Sequence, residues 1–320
     1  MNILVLSIGL LLLVLIICDF FFTTLSGSGA GFISKPVASF AYRGLRKFSG
    51  PSNRRVFKYS GLIVNLAVLL IWILIVWFGL FLVFSSNPDG ITNSNSRPAN
   101  WVERLYYTGY IISTLGLGNF KPTTAFFEII TSIFSFFGFI FFTSSMTYLI
   151  SVSSAVIRKR TLSRSIFNLG SSPSEMAEKL LALNPSYRDQ QLLRLQEEID
   201  KHMVSHQAYP VVHFYSHQNP DNCFSINFVR LDEALNSLLN GENNEKPHPW
   251  QKEELQLLRS TMTNLIMHLK DNFKGSLPEP KTIATKANGQ LDLSNLQQRR
   301  SVLSSMLRSE GFSWENLKGS

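Results

Sequence analysis

Residues 106–122 read YYTGYIISTLGLGNFKP, and this stretch decides the interpretation of the whole chain. The run at residues 101–113 is aromatic and apolar, but it is shorter than the ~20 residues that a membrane-spanning helix needs. Two glycines at alternate positions follow, Gly116 and Gly118, and then another long apolar stretch. This order predicts a short helix that enters the membrane and a loop that returns to the same side.

The two glycines indicate what such a loop does. Backbone at membrane depth that is not helical is tolerated only where it is buried in protein or lines a water-filled path. Gly116 and Gly118 can adopt left-handed conformations that a Cβ disfavours, which allows successive carbonyl groups to point the same way. A row of carbonyls directed at one axis can replace the water shell of an ion. The loop is therefore predicted to face a pore or a partner.

Three apolar stretches of the chain are long enough to cross a bilayer. The second has no charged residue, and the third has only Glu128, near its start. The first has the position of a signal peptide, but it lacks a basic n-region and carries Asp19 where small residues precede a cleavage site. We expect this helix to be retained, and its removal is the alternative. The three predicted spans are residues 3–22, 61–84 and 125–157.

The basic residues predict the orientation. The chain has a formal net charge of +8, and the bases near its front lie beside apolar spans rather than in a free tail, which argues against nucleic-acid binding. No acid accompanies the bases between the first two spans, and further bases follow the third span. Both regions are predicted to be cytoplasmic, in a plasma membrane protein whose N-terminus is outside. The bases are Lys35, Arg43, Arg46, Lys47, Arg54, Arg55 and Lys58, then Arg158, Lys159, Arg160 and Arg164.

The quoted stretch resembles the pore helix and selectivity filter of the potassium channel family, whose filter has the pattern TVGYG. The resemblance implies a prokaryotic-type subunit with a single pore loop that conducts potassium passively. Thr114 would offer its hydroxyl and carbonyl at the inner end of the filter. The carbonyls of Leu115, Gly116 and Leu117 would follow, and Gly118 would close the filter on the outside.

The residues around this pattern match the family in part. Tyr106 and Tyr107 stand where an aromatic pair of the pore helix supports the filter, and Ser113 stands where a small hydroxyl residue is common. Leu117 replaces a frequent Tyr, so the hydroxyl that would tie the filter to the pore helix is missing.

Two further positions depart from the family. Asn119 replaces the usual Asp, and Tyr110 stands where some bacterial members have Glu, so a carboxylate pair behind the filter is absent. These departures bear on the rigidity of the filter more than on its choice of ion.

One chain carries one such segment, whereas a carbonyl-lined filter needs four walls, so we predict a homotetramer. The predicted partners are potassium ions, other copies of the chain and the lipid bilayer, with no cofactor besides potassium. The alternatives are a non-selective cation channel, a re-entrant loop of another transporter, and a non-conducting membrane anchor for a helical interaction domain. Subunits of potassium uptake systems carry four hairpins in a longer chain, and a length of 320 residues excludes them.

The third span is predicted to line the pore. Gly138 lies midway along it, where it serves either as a hinge or as a small residue packed against a neighbour. From Gly138 the helical period directs Phe142, Met146 and Ile150 along one face, which we expect to face the cavity below the filter.

The second half of the chain has a helical pattern. A helix is predicted to start at Ser172-Pro173 and to end near Asn184-Pro185, and a longer amphipathic helix follows. Further helices are predicted over residues 227–240, 250–271 and, after a Pro-rich linker, 294–310. No nucleotide-binding motif occurs and no spacing predicts catalysis, so we expect no enzyme.

The fold class is therefore predicted to be an all-α membrane protein with three transmembrane helices, a re-entrant pore helix and filter, and a cytoplasmic helical bundle. An N-terminal transmembrane helix occupies residues 1–22 and a basic cytoplasmic loop residues 23–59. Apolar residues interleave with the bases of this loop, which either lies along the inner membrane surface or is solvated. The pore domain is residues 60–157, with outer helix 60–84, pore helix and filter 101–122, and inner helix 125–157; the cytoplasmic domain is residues 158–320.

Four histidines of the cytoplasmic half are spaced as two pairs. His202 and His206 are four residues apart on a predicted helix, and His213 and His217 repeat the spacing beside prolines. Such pairs suit a zinc site if they face each other, but surface or partly buried histidines are the commoner explanation. The two cysteines, Cys18 and Cys223, cannot build a disulfide framework.

Overall fold

A computed structural model of the chain describes residues 1–48, 55–240, 249–272, 293 and 295–318. The chain forms two compact units: the first comprises Met1–Ala38 and Val64–Val152, and the second comprises Ser39–Ile63 and Ser153–Ser320. Three of the described helices are long and apolar enough to cross a membrane: Ile3–Leu25, Phe57–Ser85 and Ala125–Phe167. The predicted fold class, an all-α membrane protein, is confirmed.

The helices follow one another in chain order, with two short strands between the third and fifth. The first helices are α1 (Ile3–Leu25), α2 (Ser34–Phe48), α3 (Arg55–Ser85), α4 (Trp101–Ile112) and α5 (Ala125–Phe167). The strands are β1 (Ile91–Asn93) and β2 (Phe120–Pro122). The later helices are α6 (Pro173–Ala182), α7 (Pro185–Ala208), α8 (Phe224–Asn240), α9 (Pro249–Asn272) and α10 (Leu296–Ser309). Short 3-10 helices occupy Pro210–Phe214, Pro220–Asn222 and Trp314–Leu317.

Two helices extend beyond what the apolar pattern predicts. α2 lies inside the stretch predicted as a basic loop, and α5 continues beyond Ile157 to Phe167. In α5 the added residues include Arg158, Lys159 and Arg160, which are good helix formers, and no Gly or Pro follows until Gly170. The end of the apolar stretch is thus not the end of the helix. The predicted Pro-rich linker before residue 294 lies outside the described residues.

α1 and α3 approach each other closely in the first unit. A Cβ on Gly9 would lie 2.9 Å from the carbonyl oxygen of Gly79, and a Cβ on Gly79 would lie 2.9 Å from Leu13. Small residues at such a crossing let two membrane helices pack closely, because hydrophobicity alone does not drive association within lipid.

Asp19 joins α1 to the start of α2 and to α3. Its side chain is fully buried, and its carboxylate accepts hydrogen bonds from the backbone N–H groups of Ile33, at 2.7 Å, and Ser34, at 3.3 Å. The hydroxyl of Ser34 and the indole N–H of Trp72 also donate to it, the latter at 3.0 Å. A buried charge is tolerated when such donors surround it. This group of residues, the Asp19 node, closes the turn between α1 and α2.

β1 and β2 form an antiparallel pair that brackets α4 and the glycine loop. Ile91 pairs with Pro122, and Asn93 with Phe120. The pairing brings together the two ends of the long loop between α3 and α5.

The second unit contains a bundle built from α6 to α10. α7 packs on α9, α6 packs on α8, and α8 is buried along most of its length. The guanidinium of Arg299 donates hydrogen bonds to both carboxylate oxygens of Asp232, and both side chains are almost fully buried. The predicted helices of this half match α6, α8, α9 and α10 closely.

Candidate functional site

α4 begins with a capping box. The side chain of Asn100 accepts a hydrogen bond from the N–H of Glu103 at 2.9 Å, and the Glu103 carboxylate accepts from the N–H of Asn100 at 2.7 Å. A hydrogen bond from the Arg97 guanidinium lowers the pKa of Glu103, which therefore stays ionised at the helix N-terminus. This cap satisfies backbone donors that a short helix would leave free.

Side chains of the neighbouring helices fix α4 in place. The indole of Trp77, on α3, donates to the carbonyl oxygen of Leu105 at 2.9 Å. The hydroxyls of Tyr107 and of Thr131, on α5, are 2.8 Å apart and hydrogen-bonded. The ring of Phe84 meets that of Tyr107 edge to face, with centroids 5.1 Å apart. α4 is thus held by both α3 and α5.

Tyr110 makes a contact that the sequence analysis missed. Its hydroxyl donates to the carbonyl oxygen of Phe120 at 3.1 Å, and so ties α4 to the strand after the glycines. Its ring also packs edge to face on Tyr106 and Tyr107, with centroids 5.5 and 5.1 Å apart. In the sequence, Tyr110 follows Tyr106 and Tyr107 by four and three residues, which places the three rings on one face of a helix, and this spacing is the signal that could have indicated the contact.

Residues 113–119, which we name the glycine segment, have an alternating backbone. Thr114, Gly116 and Gly118 have φ angles of 57°, 59° and 74°, whereas Leu115 and Leu117 are not in this left-handed region. The prediction that both glycines adopt left-handed conformations is confirmed. Thr114 is unusual, because a β-branched residue at positive φ is strained. Alternation of this kind can turn successive carbonyls to one side.

The glycine segment starts from the end of α4 and then leaves the packed interior. The N–H of Thr114 donates to Ile111, and that of Leu115 to Tyr110, each at 3.0 Å. Beyond these, no hydrogen bond joins the backbone of residues 116–118 to the described part of the chain. All seven residues are exposed, with Leu115 62% and Leu117 51% exposed, and a Cβ on either glycine would meet nothing within 4 Å.

Ser113 is the first residue of the segment, and Tyr106 lies on the helix that precedes it. Ser113 ends α4, and its hydroxyl donates to the carbonyl oxygen of Tyr110 at 3.2 Å. Tyr106 is 44% exposed, with its ring beside those of Tyr110 and Phe120. The aromatic pair of the sequence analysis therefore divides, with Tyr107 buried and Tyr106 partly exposed.

Gly138 lies where α5 meets the end of α4. A Cβ at this position would lie 2.1 Å from the carbonyl oxygen of Ile112, and no flexible side chain separates them. Between the two interpretations in the sequence analysis, hinge and close packing, this contact supports close packing. Only glycine allows α5 to approach the residue that precedes the glycine segment this closely.

Phe142, Met146 and Ile150 form a stripe along α5 that is not covered by the first unit itself. Their exposed fractions are 66%, 47% and 62%. Thr143 and Thr147 lie between these residues in the sequence, and their hydroxyls donate hydrogen bonds to the carbonyl oxygens of the residues four positions earlier. The stripe is therefore available to another molecule, to lipid or to a water-filled cavity.

The histidines lie in the second unit, apart from this site. Ring centroids are 5.9 Å apart for His202 and His206, and 5.5 Å apart for His206 and His213. The ring of His217 is not part of this group, and its Nδ1 accepts a hydrogen bond from the N–H of Asn219. The ring of His268, on α9, lies beside that of His206 instead. Across the described residues, no group of three or more His, Cys, Asp or Glu is placed to hold a metal ion. The zinc interpretation gains no support.

Comparison with known proteins identifies the domain. Residues 68–154, which include α4, the glycine segment and most of α5, match the family described as ion channel. The whole chain is similar to the uncharacterized membrane protein YdjJ of Bacillus subtilis strain 168, with 30% identity over 324 residues, covering 96% of this chain and 94% of that protein. No solved structure matches significantly. The chain thus belongs to the same family as this bacterial membrane protein, and it contains an ion channel domain.

Proposed function

We propose that the chain is one subunit of a potassium-selective channel and that the glycine segment is its selectivity filter. The observation that carries this proposal is the alternating backbone of Thr114 to Gly118 together with its exposure. Carbonyls that accept no hydrogen bond from the chain can coordinate an ion that has left its water shell. The hydroxyl of Thr114 would add a ligand at the inner end.

A homotetramer follows from the same exposure. Non-helical backbone within a membrane must be buried in protein or line a pore. One chain supplies one segment, which its own helices leave uncovered, and a filter has four walls. Four copies around one axis would bury the leucines and direct the carbonyls at the ions.

The supports of α4 are suited to this role. Selectivity by carbonyls requires that their spacing does not change freely from ion to ion. Trp77, Tyr107 and Tyr110 fix α4 and the strand beyond the segment, and Gly138 brings α5 directly against the end of α4. We infer that the hydroxyl of Tyr110 replaces the tie that a filter tyrosine provides in other members.

The orientation is also a proposal. The bases between the first two spans and those at residues 158–164 have no acid among them, which favours the cytoplasm for the second unit in a plasma membrane. A cysteine placed at Ser28, an exposed turn residue, should resist labelling from outside intact cells.

Ion flux into liposomes tests the function. The purified protein is expected to carry potassium down its gradient and to exclude sodium. Gly116→Ala should abolish this flux, because a Cβ at positive φ costs ~1–2 kcal/mol per subunit and roughly 4–8 kcal/mol over four. Gly27→Ala is the matched control, since Gly27 also has positive φ, at 63°, and open space around it.

Three results are informative in this experiment. Normal potassium flux through Gly116→Ala would refute the filter assignment. Equal sodium and potassium flux in the unmodified protein would favour a non-selective cation channel. Absence of any flux from correctly folded tetramers would favour the non-conducting anchor.

A further inference from the structure

The second unit contains a buried histidine cluster that the proposed function does not use. We define it as His202 and His206 of α7, His213 of the 3-10 helix Pro210–Phe214, and His268 of α9. Nδ1 of His206 lies 3.3 Å from Nε2 of His268, and the ring of His206 also meets those of His202 and His213. His202 is 2% exposed and His206 1% exposed, whereas His213 is partly exposed.

Two cations of α5 lie beside the cluster, and the carboxylate of Glu310, at the end of α10, acts on one of them, Lys159. α5 contributes Arg158, which donates to the hydroxyl of Ser205 at 3.3 Å, and the buried Lys159. α8 contributes the ring of Phe224, whose centroid is 4.6 Å from that of His202. Within the described residues, no carboxylate is among the groups whose charge acts on the rings of His202, His206 and His213.

Burial and these cations disfavour the protonated form. Burial, followed by the charge of Lys159, lowers the pKa of His202 to about 3, and burial lowers the pKa of His206 well below its ordinary value. A histidine has a pKa of ~6.5 when it is unpacked and a lower pKa when it is packed in the cluster. Its neutral form stabilises the packed state fully at pH values above ~6.5, and this contribution is lost as the pH falls toward the pKa of the packed state. Acid therefore acts against the packed cluster.

His213 belongs to a segment that fastens two membrane helices at their ends within this unit. We name residues 210–215 the coupling segment. Nζ of Lys159, on α5, donates to the carbonyl oxygens of Val212 and Tyr215 at 3.2 and 2.7 Å. The hydroxyl of Ser60, on α3, donates to the carbonyl oxygen of Phe214 at 2.6 Å. One short segment thus holds both helices and also carries a member of the histidine cluster.

We propose that the histidine cluster is a proton-binding site and that protonation releases the coupling segment from Lys159 and Ser60. Since α5 is one helix from Ala125 to Phe167, this release changes ion flux, a consequence that rests on the proposed channel function. For each histidine whose pKa is lowered by packing, a change from pH 7.5 to pH 5.5 shifts the equilibrium about tenfold from the packed toward the released state.

The first test measures flux while the pH is changed on the side of the membrane that holds the second unit. Unmodified protein should change its potassium flux by about threefold or more between pH 7.5 and 5.5, a part of the tenfold shift expected for one histidine. The double variant His202→Leu, His206→Gln should show a clearly smaller response, because only His213 and His268 of the cluster remain. His217→Gln, which alters a histidine outside the cluster, should keep it. A full response in the double variant, or none in unmodified protein, would overturn the proposal.

A second test does not depend on conduction. Cys223 is 1% exposed, and its Sγ lies 3.3 Å from the hydroxyl of Ser216, next to the coupling segment. In a Cys18→Ala background, its reaction with an acid-active disulfide reagent is compared with that of denatured protein at the same pH. The relative rate should rise at least tenfold at pH 5.5, the shift expected for one histidine, in the His217→Gln variant, and it should rise clearly less in the double variant.

The two tests separate the two proposals. Acid exposure of Cys223 without ion flux would refute the channel and leave the proton site. Normal flux with Cys223 equally protected at both pH values would refute the proton site and leave the channel. Protection of Cys223 at pH 7.5 in the double variant checks that it is folded; if it is lost, His202→Gln alone replaces the double variant, with the same expectations.

Discussion

The Asp19 node and the glycine segment belong to the same unit, and both place polar backbone or side-chain groups on or next to helices that are apolar and long enough to cross a membrane. The carboxylate of Asp19 is fully buried and accepts hydrogen bonds from Ile33, Ser34 and Trp72 of its own chain. The carbonyls of residues 116–118 accept none from the described part of the chain, and their surroundings are open. The first is complete within one chain, whereas the second leaves its carbonyls open to other molecules. Unsatisfied groups in a membrane protein therefore indicate where function and assembly take place.

The largest expected effect comes from a substitution in the Asp19 node, whose hydrogen bonds are made within one chain. Asp19→Ala removes the acceptor of the backbone N–H groups of Ile33 and Ser34 and one of the two acceptors of the Trp72 indole, at a cost of ~1–3 kcal/mol for each group left unsatisfied. The unfolding midpoint in detergent should fall steeply, while Cys18→Ala, an exposed neighbour on α1, should leave it unchanged. Any Asp19→Ala protein that still inserts should retain its ion selectivity. A selective defect in ion choice would contradict the separation of the two regions.

The next largest effect is expected at Gly138, which lies against the residue that precedes the glycine segment. Gly138→Ala places a Cβ against the carbonyl of Ile112, and we expect an overpacking cost of ~1–3 kcal/mol in each subunit. Flux should fall severely because the end of α4 must move. The control is Gly44→Ala, a helical glycine on α2 with nothing within 4 Å of its Cβ. If Gly138→Ala conducts as well as Gly44→Ala, the contact has no functional importance.

A smaller effect is expected for the hydrogen bond between Tyr110 and Phe120, which joins the two ends of the glycine segment. Tyr110→Phe removes the hydrogen bond to Phe120 and should cost ~0.5–1.5 kcal/mol. We expect assembly to be normal and the ratio of potassium to sodium flux to decline. Tyr187→Phe, at an exposed tyrosine, serves as control. An unchanged flux ratio would mean that the strand beyond the glycines needs no support from α4.

The smallest effect is expected at Thr114. Thr114→Ala removes one hydroxyl per subunit and should raise the potassium concentration that gives half-maximal flux, with little effect on tetramer formation. Thr114→Ser retains the hydroxyl and should behave as the unmodified protein does. Equal concentrations for all three proteins would remove the hydroxyl from the proposed set of ligands.

Apolar length and glycine spacing were sufficient to predict the main architecture. The three spans, the short α4 and the positive φ angles of Gly116 and Gly118 all follow from local chemistry. α2 was assigned to a loop because its bases dominated the interpretation, although apolar residues recur between them. The local sequence pattern predicts correctly those features whose conformation is determined by a single segment of the chain.

The contacts that a pattern cannot predict join residues far apart in the sequence. Tyr110 was noted as a departure from the family, yet its bond to Phe120 depends on how β2 returns to α4. His268 is 62 residues from His206, and no spacing rule connects them. Asp19 served only to argue against signal cleavage, and no local pattern connects it with its partner Trp72. Each of these depends on tertiary packing.

The Asp19 node also has a consequence for biosynthesis. Three of its donors come from Ile33 and Ser34, which leave the ribosome soon after Asp19, while Trp72 follows much later. The carboxylate can therefore be satisfied within the hairpin of α1 and α2 before α3 has been made. The chain can deliver a charged residue into the bilayer already enclosed by its own donors, and the arrival of α3 then completes an arrangement that translation order has prepared.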